Sequence, residues 1–421
     1  MIPAIHSVLH TIDHSLIYRI LLYFYGIYPV FMACIWIVLS LFFFIRREGN
    51  QAPEIDDQEL PFVSVIIAAF NEELAIAGTL DALLEMNYPN YEVIVIDDGS
   101  TDKTSAIVRE YTTKGPIRLL KKEVNEGKAM ALNDALPICR GEIFLLIDAD
   151  ISVTPDILHH MVPHFRSGRV AAVTGNPRVA NRDSLLKTLQ AIEFSSIISM
   201  QRRAQRIWGR VMTVSGAVFA LRRSAILDVG PFLPSMATED IDLTWRLQMR
   251  FWDVRYEPRA VVWMQVPPNL RELWKQRRRW ARGLAQVLKA YRKVPTKWVW
   301  RRLWPVFYES IVSILWAYTF LGITTFWVFC LSVGYEPYGA SPIPNFWGML
   351  IASACLVQLA IGAFQDRRYD PKIGVALVES IYYPLIYWTL MSLITGIYTI
   401  ESMFRKAPEL QRWKIERRAT A

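Results

Sequence analysis

The stretch GEIFLLIDADISV, Gly141–Val153, decides how the rest of the chain is read. Ile143 to Asp148 has the composition of a short strand buried on both faces. Such a run ends badly on a carboxylate, and this one ends on Asp148 and Asp150 with Ala149 between them. An unpaired buried carboxylate costs on the order of several kcal/mol, so a cation is expected beside the pair. A divalent ion such as Mg²⁺ takes oxygen ligands and leaves positions for substrate phosphates. A metal-held diphosphate is therefore the expected occupant.

Working outward, FVSVIIAAF (62–70) and YEVIVIDDGS (91–100) are further β-branched runs ending in polar residues. Helix-period segments lie at 72–86, 100–115 and 128–139, with a strand-like IRLLKKEV at 117–124. Strands alternating with helices predict a largely parallel sheet, and in such sheets ligands bind beyond the carboxyl ends of the strands. Asn71 and Glu72, Asp97 and Asp98, and Asp148 and Asp150 should then converge on one rim. The Asp97-Asp98-Gly99-Ser100 run also fits a turn in which Ser100 or Thr101 caps the next helix. Two acids exceed what a turn requires, and a carboxylate suits a ribose hydroxyl or a pyrimidine N–H. Lys128, in NEGKAMALN, is expected near phosphate. No Walker A, dinucleotide fingerprint or kinase set occurs.

MATEDIDLTWRLQ (236–248) carries a third acidic group. Thr238 fits a capping box ahead of a helix whose positive end favours the acids, which leaves Asp240 or Glu239 able to take a proton from an alcohol. QRRRW, Gln276–Trp280, is the fourth element. Arginine binds phosphate through a fork and an indole stacks on the C–H face of a sugar. It lies in a segment, 269–294, whose apolar residues (Leu270, Leu273, Trp274, Leu284, Leu288) recur at helical spacing opposite Arg and Lys, the pattern of an interfacial amphipathic helix.

Lipid solvates part of the chain: 52% of 421 residues are hydrophobic and mean hydropathy is +0.20. The net charge of +8 concentrates at 271–302 and 405–418, beside apolar segments, which favours the membrane surface over nucleic acid. Ile17–Ile45 ends on Arg46 and Arg47 with no cleavage site, so it is expected as an anchor with its basic end in the cytoplasm. It is long for one span, which leaves two alternatives, a tilted span or a short interfacial helix before a span near 28–45. Three apolar runs follow, roughly 304–333, 346–364 and 375–400. The loop GYEPYGASPIPN should lie outside and QDRRYDPK inside. Three full spans would leave the basic tail outside, against the positive-inside tendency, unless the last run, which holds Pro384, is re-entrant or an interfacial pair. The four cysteines show neither disulfide nor zinc spacing.

Asp97-Asp98, Asp148-x-Asp150, Thr238-Glu239-Asp240 and Gln276-x-x-Arg279-Trp280, in this order and followed by membrane helices, resemble the processive family-two glycosyltransferases. Within that group FNEE, DDGSTDKT, TGNPR, VSGAVFALRRSA, TEDIDLTWRLQ and LWKQRRRWARG are most similar to bacterial poly-β-1,6-N-acetylglucosamine synthases of biofilm exopolysaccharide. Unlike cellulose synthases, the sequence shows no C-terminal cyclic-dinucleotide barrel. The resemblance implies a GT-A-type α/β domain with a Rossmann-like, mostly parallel sheet, plus transmembrane helices and an interfacial amphipathic helix. The expected division is an anchor at 1–47, a linker at 48–61, a cytoplasmic catalytic domain at 62–267, the amphipathic helix at 268–303, a transmembrane region at 304–402 and a basic tail at 403–421. Phe70, Asn71, Glu72, Asp97 and Asp98 would line the uridine pocket, and Lys128 and Asp148 would contact the nucleotide. Asp150, with Asp148, would hold Mg²⁺ or Mn²⁺. Asp240 would be the base, with Glu239 next in line. Gln276 and Arg279 would face the diphosphate and Trp280 the acceptor sugar.

The implied activity is inverting polymerisation of N-acetylglucosamine from UDP-N-acetylglucosamine into an exported polysaccharide, in the bacterial inner membrane. A small two-helix membrane subunit, cyclic di-GMP at its interface, and membrane lipids would be partners. The alternatives are another β-linked polymer of the hyaluronan, chitin or cellulose kind, a single transfer to a lipid carrier, or a non-enzymatic membrane protein.

Overall fold

The computed structural model describes residues 2–49, 60–339, 346–405 and 408–412. Residues 50–59 of the linker, 340–345 of the loop expected outside, and 406–407 and 413–421 of the tail lie outside the described residues. Among these residues eight strands form one sheet: β1 (Val63–Ala69), β2 (Tyr91–Asp97), β3 (Ile117–Lys121), β4 (Ile143–Asp148), β5 (Ile151–Val153), β6 (Val170–Val179), β7 (Val218–Arg222) and β8 (Asp253–Met264). Their order is β3-β2-β1-β4-β7-β6-β8-β5. The first four are mutually parallel; β7 runs antiparallel to both β4 and β6, β6 pairs β8 in parallel, and β5 closes the edge antiparallel.

β1 is buried along its whole length because both faces are covered. Val63, Val65 and Ile67 pack with Ile76, Leu80 and Leu83 of the helix Ile76–Leu84. Ile66 and Ala68 pack with Ala131 and Leu132 of the helix Lys128–Ala135 on the other side. Alternation along a strand sends neighbours to opposite faces, and each fully buried Ile or Leu contributes about 1.5–3 kcal/mol. The register sets Ala69 beside Asp97 and Ala68 beside Asp148. The acidic strand ends therefore share one rim, as the alternation predicts.

Two local expectations fail. The helix after β2 starts at Thr104 with Lys103 at its N-cap, and it is the Asp102 carboxylate that accepts from the Thr104 N–H, at 2.9 Å. Neither Ser100 nor Thr101 caps it, because Ser100 Oγ accepts from the Asn71 N–H and the Thr101 N–H is turned to Asn71 Oδ1. Thr238 does occupy the N-cap of the helix Glu239–Met249, but its hydroxyl makes no capping bond.

Among the described residues three helices are long and apolar enough to cross a membrane: Leu16–Glu48, Trp298–Ser332 and Phe346–Asp366. The break near the N-terminus falls earlier than expected. A separate helix, Ile2–Asp13, precedes an uninterrupted Leu16–Phe43 that is capped by Ser15 through the Tyr18 N–H. The last apolar run is broken around Pro384 into Ile373–Glu379, two irregular turns, and Trp388–Phe404. Proline has no N–H to give and interrupts the ladder there. The Gln411 N–H reaches the Pro234 carbonyl at 2.9 Å, so the tail returns to the α/β domain. Asp366 and Asp370 also meet that domain, through Arg178 and Arg182. The broken run therefore begins and ends on one side, which relieves the conflict over the tail.

Buried ion pairs join the helix ends to the sheet domain. Arg203 bonds Glu48 at 2.5 Å and Asp366 at 2.7 Å. Arg178 of β6 also meets Asp366, and Tyr369 donates its hydroxyl to Glu48 at 2.8 Å. At the far end Asp13 accepts from Tyr335 and from the Tyr338 N–H.

Candidate active site

The rim is built by three strand ends and two loops that lock together. Asn71, at φ +54, turns the chain out of β1. The loop it begins is laced to the one after β2: the Glu72 N–H donates to Thr104 Oγ1 at 2.8 Å and the Glu73 N–H to Asp102 at 3.1 Å. Asp97 is fully buried and accepts from the Ser100 N–H and from Ser105 Oγ. Asp98, also buried, accepts from the Glu126 and Gly127 N–H groups at 3.1 and 2.7 Å and pairs with Lys122. Burial pushes the Asp98 carboxyl up, against the pull of those donors. Gly127, at φ +93, gives the backbone that aims its N–H at Asp98, and a Cβ there would collide with the Gln411 carbonyl.

A cation does lie beside β4, but it is a lysine of the chain rather than the metal expected there. Lys128 Nζ lies 2.5 Å from Asp148 Oδ1 and 3.6 Å from Glu239 Oε1, and it donates to the Gly216 carbonyl at 2.9 Å. Burial alone would lower its pKa, but Asp148 and Glu239 hold the ammonium above its ordinary range. Asp148 keeps a side chain about one third exposed, so the carboxylate is accessible to a ligand. Among the described residues no group of three or more His, Cys, Asp or Glu is arranged to hold a metal. An ion that takes most of its ligands from phosphate and water needs only one or two carboxylates. The Asp148–Asp150 donor set fits that use, with the diphosphate supplying the remainder.

Asp240 sits across from this pair. Its Oδ2 accepts from the Gly216 N–H at 3.0 Å and its Oδ1 from the Ile241 N–H at 2.9 Å. Burial and then Glu239 push its carboxyl up to about 6, against Lys128 and Arg279, which favour the charged form. A half-buried carboxyl near neutrality is suited to taking a proton.

The helix Leu270–Ala290 brings the fourth element, N-capped by Asn269 through the Glu272 N–H. Arg279 is exposed and its Nη1 reaches the Ala237 carbonyl at 3.4 Å. The buried Gln276 Oε1 has no hydrogen-bond partner among the described residues. Trp280 lies under Arg277, whose guanidinium carbon stands 3.9 Å from the ring centroid. The seat of this helix is Gly283, packed on Thr238: a Cβ at 283 would come within 2.7 Å of Thr238 Cβ and closer still to its branch atoms.

Phe70, Asn71, Glu72, Asp97, Asp98, Lys128, Asp148 and Asp150 thus share one rim, and Glu239 and Asp240 close on it through Lys128 and Gly216. Sequence reasoning passed over Gly216, whose carbonyl and N–H hold Lys128 and Asp240 in place. It also passed over Arg277, Glu193 and Tyr387. Arg277 Nη2 donates to Glu193 at 2.5 Å and to Tyr387 Oη at 3.0 Å, and the Tyr387 hydroxyl donates to Glu193 at 2.8 Å. The only local signal was the surplus arginine within QRRRW.

A family profile described as "Glycosyltransferase like family 2" matches residues 61–283. The chain is 33% identical over 396 residues to the poly-beta-1,6-N-acetyl-D-glucosamine synthase of Staphylococcus epidermidis, covering 92% of this chain and 95% of that protein. The synthase of the same name from Staphylococcus aureus strain COL matches at the same identity and coverage. Among solved structures, a mannosyltransferase from Pyrobaculum calidifontis in complex with GDP-Man and Mn²⁺ superposes with a TM-score of 0.59. It is 22% identical and covers 87% of this chain and 99% of that one, which speaks for the fold alone. With helices long and apolar enough to span a bilayer on either side of its GT-A-type sheet domain, the chain belongs to glycosyltransferase family 2 and is a membrane-embedded member of it.

Proposed function

We propose that this enzyme polymerises N-acetylglucosamine from UDP-N-acetylglucosamine into a β-linked, β-1,6 polysaccharide at the bacterial inner membrane, with its α/β domain in the cytoplasm. The observation that carries the chemistry is Asp240, held by the Gly216 N–H beside Lys128 and Asp148 with a carboxyl at about 6. The names of relatives matched along 92% of the chain support the sugar and the linkage.

In the proposed step the acceptor hydroxyl oxygen attacks the anomeric carbon from the side opposite the diphosphate. The bond from that carbon to the diphosphate oxygen breaks, UDP carries away the electron pair, and Asp240 takes the hydroxyl proton. One base and one displacement invert the centre, so an α-linked donor yields a β-linked product. Lys128, Arg279 and the Gln276 amide N–H group would orient the diphosphate, Asp97 and Asp98 shape the uridine end through the loops they organise, and Trp280 would stack on the acceptor sugar. Asp150 and Asp148 would hold Mg²⁺ or Mn²⁺, which when bound neutralises charge on the departing diphosphate. A small two-helix membrane subunit is the proposed partner, since an exported glycan needs polar surface along its whole path, and cyclic di-GMP would act where the two meet.

The test is to feed membranes holding the enzyme a panel of UDP-sugars and to determine the linkage of any polymer. UDP-N-acetylglucosamine alone should give polymer, and Asp240→Asn should abolish it while UDP binding persists. Polymer from another donor, or near-normal turnover in the variant, refutes the reading.

A further inference from the structure

Five arginines gather around one carboxylate where the anchor helix leaves its apolar stretch. Arg206 and Arg255 both bond Asp253, at 2.8 and 2.9 Å. Arg206 lies within electrostatic reach of Arg255 and Arg47, and Arg210 within reach of Arg302 and Arg206. Arg210 is 6% exposed; its Nη1 donates to the Gly209 carbonyl, and its buried Nε has no partner among the described residues. Burial first, and then like charge against the pull of Asp253, push the Arg206 and Arg210 guanidiniums below their ordinary range. Crowded, half-desolvated cations of this kind call for an anion.

Beside the cluster runs a groove of about 420 Å³ with almost no polar surface, lined by Val38, Leu39, Leu41, Phe42 and Ile45 of the anchor and by Ile207. Ile207 stands between Arg206 and Arg210 in sequence. Arg46 lies 4.2 Å over the Phe42 ring, so the apolar lining and the basic end are continuous.

We propose that this is a site for one anionic phospholipid, with an acyl chain in the groove and the headgroup phosphate on Arg210 and Arg206, flanked by Arg47 and Arg302. The order of the two halves argues for a lipid: apolar along the span, cationic where the span ends. A soluble phosphodiester would use the arginines and leave the groove bare, while a zwitterionic lipid brings an ammonium into a cluster already four charges in excess. Occupancy would relieve the repulsion that pushes the helix Met200–Trp208 from the anchor. That helix carries Arg203, so the lipid would steady the Arg203–Glu48 pairing one turn away.

The test uses the full chain in detergent micelles, with lipid retention read by native mass spectrometry after adding phosphatidylglycerol or phosphatidylcholine. Phosphatidylglycerol should be retained about tenfold more. Arg210→Gln should remove the preference, and Val38→Trp, filling the groove, should cut retention of both lipids. Arg302→Gln, at an exposed position, should reduce the preference about threefold and keeps the test open if Arg210→Gln fails to fold. Equal retention of the two lipids, or a preference untouched by both arginine variants, overturns the site. Retention untouched by Val38→Trp, together with displacement by soluble cyclic di-GMP, would show a phosphodiester site and overturn the lipid.

Discussion

Gly283→Ala should separate the geometry of the site from its composition, since it removes no functional group. The new methyl would lie 2.7 Å from Thr238 Cβ, about 0.7 Å short of ordinary contact, and a Cβ cannot be rotated away. The helix bearing Gln276, Arg279 and Trp280 must therefore lift from the turn that carries Glu239 and Asp240 by roughly that distance. A displacement of 1 Å at a reacting centre costs about 10²-fold, so 0.7 Å scales to a loss on the order of 25-fold in turnover. Overpacking should also lower stability by about 1–3 kcal/mol. The assay is UDP release from UDP-N-acetylglucosamine by purified enzyme, with a melting curve and UDP affinity measured in parallel. UDP affinity should stay within about threefold, because the Asp98 loops are held by contacts that do not pass through Thr238. Adding Thr238→Ala removes the two branch atoms and should recover part of the rate. Turnover within threefold of wild type in a well-folded Gly283→Ala protein would show that this seat does not position the site.

The acidic limb of kcat/KM should fall near pH 6, since Asp240 must be unprotonated to accept the hydroxyl proton and activity is lost as pH drops through its raised pKa. Glu239→Gln removes the second cause of that rise and should move the limb to lower pH; an unmoved limb assigns it to another group. Chelation should silence the wild type with Mg²⁺ or Mn²⁺ restoring it, and Asp150→Ala should not be restored by either; activity in excess EDTA removes the metal. Arg277→Met leaves Glu193 buried without its cation and should cost about 3–5 kcal/mol. The double variant Arg277→Met with Glu193→Met should recover the melting temperature but not elongation, because Trp280 has lost its cover; full recovery of elongation would make the trio merely structural.

β1, β2 and β4 could be read in advance because a strand buried on both faces writes a continuous apolar run. The direction of β7 could not, since a strand's own residues say nothing about which way its neighbours point. β5, three residues long, leaves no periodicity to read. At the site the acids were visible from their places at strand ends, and the cation beside Asp148 was foreseen as a need. That Lys128 takes one side of Asp148, where a metal was expected, is a tertiary fact, resting on a turn 20 residues upstream. Arg277, Glu193 and Tyr387 were invisible for the same reason, being 84 to 194 positions apart. Trp280 was legible from its motif, but the guanidinium lying on it was not.

The pairing of Arg178 and Arg203 with Glu48 and Asp366 limits how the molecule can be taken apart. A soluble fragment cut at the borders of the sheet domain would keep both arginines and lose both carboxylates, which come from segments on either side of the cut. Each guanidinium would then stand without its counter-charge on a face the helices had covered. The same holds during synthesis: the ribosome delivers Glu48 first and Asp366 last, so the sheet domain waits for a distant membrane helix before its underside is neutral. Catalytic domain and bundle are thus one unit of assembly, and expression trials that drop the helices should yield a destabilised, aggregation-prone fragment.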